Sequence, residues 1–122
     1  MGALVRSMLP PECVPLLVSC AVLAAASEAR AAAFDCEQAS LPAEKAICGN
    51  ENLSKLDART AGMYFTILGS DAPATTLAEV EASQRKFLQT RNACGTDLNC
   101  LVDAYTSQMM YLKNVRSELG AR

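Results

Sequence analysis

Histidine is absent from all 122 residues. That removes the commonest general base and the usual catalytic triad. A zinc site would then need four thiolates. The spacings of Cys36, Cys48, Cys94 and Cys100, with eleven residues between the first pair and five between the second, do not fit a zinc-ribbon pattern. No cofactor and no metal are expected. Blocks of basic residues are missing too, so the electrostatic stripe that nucleic acid requires is not there. The apolar stretch from Val14 to Ala26 is thirteen residues long, short of the roughly 20 that cross a bilayer, so no transmembrane span is expected. No segment alternates apolar and polar with period two, which leaves no candidate strand. The adjacent acidic pairs, Asp35 with Glu37 and Glu79 with Glu81, stand two residues apart, a spacing that points helical side chains in different directions. Nothing therefore marks the converging carboxylates of a glycosidase. A chain with these gaps is expected not to be an enzyme.

The first third differs from the rest. From Met1 to Ala33 the only charges are Arg6, Glu12, Glu28 and Arg30. The thirteen-residue apolar run suits the hydrophobic region of a secretory signal, and small-residue cleavage sites follow at Ala29-Arg30-Ala31 and Ala31-Ala32-Ala33. Pro10, Pro11 and Pro15 argue against the rival, one long buried helix. Residues 1–33 are thus expected to be a cleaved signal peptide, with a mature chain beginning near Ala32 or Phe34 and located in the periplasm or secreted. Leu17-Val18-Ser19-Cys20 also resembles the lipobox of bacterial lipoproteins, which would anchor the chain through Cys20. The apolar run continues past that cysteine, however, where a lipoprotein begins a polar tether.

Residues 34–122 keep four cysteines, and an even count behind an export signal reads as two disulfides. Local pairing, Cys36 with Cys48 and Cys94 with Cys100, would contribute about 3 and about 2.4 kcal/mol by chain entropy. A Cys48–Cys94 link would close a longer loop, and the sequence leaves the connectivity open. Nine Lys and Arg face eleven Asp and Glu, spread without blocks.

Helical signals follow in order. Ser40 can cap a short helix that carries Pro42 and stops at Gly49. Asn50 can cap a second, whose apolar stripe is Leu53, Leu56, Thr60, Met63, Tyr64, Ile67 and Leu68. Gly69 to Ala74 is a loop by composition. Thr76-Leu77-Ala78-Glu79 is a capping-box pattern opening a third helix through Val80, Phe87 and Leu88 to Cys94. After Gly95, Thr96 or Asp97 can cap a fourth, with Leu98, Leu101, Tyr105, Met109, Leu112, Val115 and Leu119 at helical spacing. The expected fold is all-α, a small bundle of one short and three longer helices stapled by two disulfides. Phe87, Tyr64, Ile47 and Leu56 are expected in the core. Phe87, Arg91 and Cys94 share one helix face, and an arginine on an apolar flank needs a carboxylate. Asp57, beside Leu53 and Leu56, is the expected partner of Arg91.

Several stretches also carry a family resemblance: Phe34-Asp35-Cys36; Pro42-Ala43-Glu44-Lys45-Ala46-Ile47-Cys48; Leu53 to Leu56-Asp57, with Tyr64; Gln84-Arg85-Lys86-Phe87-Leu88; Arg91-Asn92-Ala93-Cys94-Gly95; and Cys100-Leu101 with Ala104-Tyr105. In order and spacing, over essentially all of residues 34–122, they resemble the LprI-type lysozyme-inhibitor N-terminal domain of bacteria. Phe87 stands where tryptophan is usual, and Asn50-Glu51-Asn52 where a cap followed by proline is common. The resemblance implies an exported binding protein that inhibits a lysozyme, and occlusion of the enzyme's glycan cleft is the expected mechanism. The alternative is a structural or stress-related envelope module with another protein partner. The resemblance assigns no inhibitory residue. The two turns make Lys45, Asn50, Thr96 and Asp97 possible partner contacts, and Arg85, in the resembling stretch Gln84 to Leu88, is another.

Overall fold

A computed structural model of the protein describes residues 33–121. The expected leader up to Ala32, with Cys20 and its lipobox, lies outside the described residues, as does Arg122. The chain makes a short 3-10 turn at Cys36–Gln38, then α1 (Pro42–Cys48), α2 (Glu51–Leu68), α3 (Ala74–Ala93) and α4 (Leu98–Gly120), with no strand among the described residues.

Local chemistry explains most of the boundaries. Asn50 Oδ1 accepts from the Leu53 N–H at 3.0 Å and starts α2. Asp97 Oδ1 accepts from the Cys100 N–H at 3.1 Å and starts α4. Gly95, at φ 59°, supplies the left-handed residue that reverses the chain between α3 and α4. Two caps differ from the sequence reading. The Ser40 side chain does not cap α1; instead the backbone N–H groups of Ser40 and Leu41 donate to Glu44 Oε1 at 3.1 and 3.2 Å. Leu41 occupies the cap position and has no acceptor, so the carboxylate reaches back to satisfy the free donors. Helix α3 begins at Ala74, before Thr76, because Pro73 (φ −57°, ψ 148°) presets the entry and its carbonyl accepts from the Leu77 N–H at 3.0 Å. Thr76 thus lies inside the first turn, and its capping box does not form.

Helices α2 and α4 start at the same end and run side by side, with α3 returning between them and α1 lying against α2 and α3. The core divides in two along this axis. Ala43, Ile47, Leu53, Phe87, Leu101, Ala104 and Tyr105 fill the end at which α2 and α4 begin. Met63, Ile67, Val80, Met109, Leu112 and Val115 fill the other. Full burial of an Ile or Leu stabilises by roughly 1.5–3 kcal/mol, so truncating Ile47 or Leu112 to alanine removes a large share of the fold's margin. Phe87 and Tyr105 meet edge to face, centroids 5.2 Å apart. Leu56 and Tyr64, expected in the core, are only half-buried and pack on its margin. Each lies one helical step off the α2 stripe whose centre is Leu53, Asp57, Thr60, Met63 and Ile67. Leu98 is exposed, because it opens α4 before that helix reaches the bundle.

Both disulfides form locally, Cys36–Cys48 and Cys94–Cys100, with Cα atoms 5.8 and 5.5 Å apart. Cys36 and Cys94 pack against the same apolar cluster, so one pole of the bundle carries both staples. Ser54 adds a tie there, its hydroxyl donating to the Ile47 carbonyl at 2.7 Å.

Candidate functional site

Polar residues occupy core-facing positions on all three long helices. On α2 the stripe is interrupted by Asp57, on α3 by Arg91 and on α4 by Tyr105, and each is almost fully buried. They converge. Asp57 Oδ1 accepts from the Tyr105 hydroxyl at 2.6 Å and from Arg91 Nη1 at 3.3 Å. Asp57 Oδ2 accepts from the Ala33 backbone N–H at 2.7 Å. Arg91 also donates to Asn92 Oδ1, from Nη2 at 2.8 Å and Nε at 3.1 Å. The Phe34 ring lies over the guanidinium, 5.4 Å from centroid to carbon. Burial pushes the Tyr105 pKa up, and donation to Asp57 and the nearby carboxylate charge push it further the same way. Tyr105 therefore stays a neutral donor, held in place rather than poised to titrate. This arrangement ties three helices to one another and to the segment at Ala33 and Phe34.

A second polar layer, part-buried, sits between α3 and α4. Gln108 Nε2 donates to Gln84 Oε1 at 3.1 Å, and the Ser83 hydroxyl donates to Gln108 Oε1 at 3.1 Å. This layer borders a groove of about 640 Å³ with Phe87, Ala104 and Cys100 in its lining and Lys86, Asp97 and Asp103 among its charged residues.

The surface residues named from sequence fall into two groups. Lys45 is exposed near the end of α1, and Asn50 is half-buried as the α2 cap. Thr96 and Asp97 are exposed in the turn closed by Cys94–Cys100. Bundle topology brings these two turns to the same disulfide-bearing pole. Arg85 is exposed but lies mid-helix on α3, away from both turns. Tyr105, Phe34, Ala33, Gln84 and Gln108 were not singled out as polar participants by sequence reasoning. The available signal was a tyrosine and a glutamine on the apolar stripe of α4, facing a helix that carries a buried acid.

Among the described residues no group of three or more His, Cys, Asp or Glu side chains could hold a metal ion. Among them, too, no helix is long and apolar enough to cross a membrane. Comparison with protein-family models, with curated proteins and with solved structures finds no match.

Proposed function

We propose that the protein is an exported binding module, periplasmic or secreted, that acts on a protein partner without turnover of its own. A lysozyme-type muramidase is the proposed target. The observation that carries the binding reading is the shared pole, where two short turns stand beside the two disulfides. A surface held this way loses little conformational entropy when it docks. The target is supported by the sequence resemblance to the LprI-type domain. The disulfides are compatible with an oxidising compartment outside the cytoplasm.

In this reading the pole occludes the glycan cleft of the enzyme. Lys45 and the backbone donors of the two turns satisfy the cleft's carboxylates through charge-assisted hydrogen bonds. The small negative net charge of the chain favours encounter with a basic lysozyme. The test is a titration of the oxidised mature protein against several lysozyme classes, with and without reductant. Inhibition should saturate near one equivalent and disappear on reduction. Absence of inhibition of every class at micromolar protein would defeat the target and leave the envelope module with another protein partner as the standing reading.

A further inference from the structure

Helices α3 and α4 meet at a seam that is packed on its inner side and open on its outer side. On α3, Ser83, Lys86, Phe87 and Thr90 recur at i, i+3, i+4 and i+7, and on α4 Cys100, Asp103, Ala104 and Ser107 do the same. Each helix therefore turns one face to the groove of about 640 Å³ between them. Phe87 and Ala104 are buried and form an apolar floor. Small side chains on the walls, Ser83, Ala104 and Ser107, leave the outer half of the seam open. The charges of the lining are unequal: Asp97 and Asp103 stand on the α4 side against Lys86 on α3. Among the described residues no ion pair joins them. Asp97 also accepts from the Cys100 N–H as the α4 cap, which leaves Asp103 as the carboxylate with no structural task of its own in the groove.

We infer that this groove takes a basic side chain, an arginine carried on an extended segment of the partner protein. The inference extends the proposed binding function from the pole to the adjoining seam and rests on that reading. The excess of negative charge calls for a cation. A guanidinium on an apolar stem matches a groove with an apolar floor and a polar rim. Its planar fork can give two N–H groups to the Asp103 carboxylate and others to the hydroxyls of Thr90 and Ser107. Length argues for a segment rather than a free ion. The α4 lining from Asp97 to Gln108 covers about 16 Å at about 1.5 Å per residue, room for about five extended residues. Lys86, on the facing wall, then donates to a backbone carbonyl of the same segment. The groove also adjoins the pole, since Asp97 and Cys100 belong both to its lining and to the turn closed by Cys94–Cys100. A partner docked on the pole has the groove beside it.

The experiment follows ¹H–¹⁵N spectra of the oxidised protein as blocked glycine pentapeptides are added. One carries a central arginine, one citrulline, which keeps the shape without the charge, and one glutamate. The arginine peptide should shift the backbone amides of Lys86, Thr90, Asp103 and Ser107 and the side-chain amide of Gln108, with a dissociation constant of about 1 mM. Added salt should weaken it. The citrulline and glutamate peptides should leave these resonances in place. Asp103→Asn should weaken the arginine peptide about three- to tenfold, the range between an exposed ion pair and a charge-assisted hydrogen bond. Ser107→Phe should abolish binding by filling the groove. Both positions are exposed, so both variants should keep the parent's far-UV circular dichroism. Resonances unmoved by the arginine peptide at about 10 mM overturn the proposal, as does a citrulline peptide that moves them equally. The same shifts on raising the protein's own concentration without peptide make a second copy the occupant and overturn it too. No lysozyme is present in this titration. Lysozyme inhibition without peptide binding therefore removes the groove and keeps the pole, whereas peptide binding without inhibition supports the groove and defeats the muramidase target.

Discussion

Removing Asp57 and removing Arg91 should not cost the same. In Asp57→Ala the guanidinium stays buried, its side chain only 7% exposed, with Asn92 and the Phe34 ring as its remaining partners. The Tyr105 hydroxyl and the Ala33 amide lose their acceptor at the same time. Stranding one partner of a buried pair costs about 3–5 kcal/mol. A domain of this size has a total stability of only about 4–13 kcal/mol. At about 4–8 °C per kcal/mol, the melting temperature should fall by at least about 12 °C, and a marginal parent would unfold. In Arg91→Met the methionine refills the guanidinium's volume, and Asp57 keeps two donors at 2.6 and 2.7 Å. That variant should lose about 1.5–3 kcal/mol, the worth of one hydrogen bond to a charged group. The double variant should cost less than the sum, with a coupling of about 0.5–3 kcal/mol. Urea unfolding followed by far-UV circular dichroism reads all three, with an unchanged m-value as the check on comparability. An Asp57→Ala protein within about 0.5 kcal/mol of the parent would refute the reasoning. So would an Arg91→Met variant that loses as much as Asp57→Ala.

Two further outcomes follow from single side chains. Tyr105 has its pKa raised above the ordinary 10.0 by burial and by Asp57, so the native state holds this proton more tightly than the unfolded chain. Stability from this source is complete below about pH 10 and is lost as the pH rises beyond it. Tyr105→Phe should flatten that alkaline loss in pH-dependent melts, apart from a contribution from Tyr111, whose pKa is raised by burial and then by Glu79; an unchanged slope would contradict the assignment. Gly95→Ala puts a Cβ on a residue at φ 59° with no atom within 4 Å to meet it, so its cost is backbone strain alone, about 1–2 kcal/mol by thermal melting. Gly95→Asn should recover part of the loss, and a neutral Gly95→Ala would show that the turn relaxes.

Much of the bundle was legible because helix periodicity is local. The stripes Leu53–Ile67 and Leu101–Val115 repeat at the spacing that puts one face inward, and both helices form along them. Asn50 and Asp97 announced their caps because a side-chain acceptor three residues before a free N–H is a local matter too. The α3 start was misplaced because Pro73 acts through its own backbone, which outweighs a capping box written in side chains. Helix α3 carries only Val80 and Phe87 as buried apolar residues. Half-buried Leu77 and Leu88 flank them, and the remaining inward positions include Arg91, Ser83 and Gln84, whose polar packing is not visible in a hydropathy pattern.

From the sequence alone came the all-α class, the four helices and four cysteines in residues 34–122, after the apolar stretch Val14 to Ala26. Each depends on neighbours a few residues apart. Only the tertiary structure decided that the two staples share a pole, because that depends on the direction in which each helix returns. It alone decided that Asp57 serves Tyr105 and Ala33 as well as Arg91. Those residues are 48, 24 and 34 positions away. A carboxylate's partners at such separations are chosen by which faces the packed helices present to one another, and no spacing along the chain records that choice.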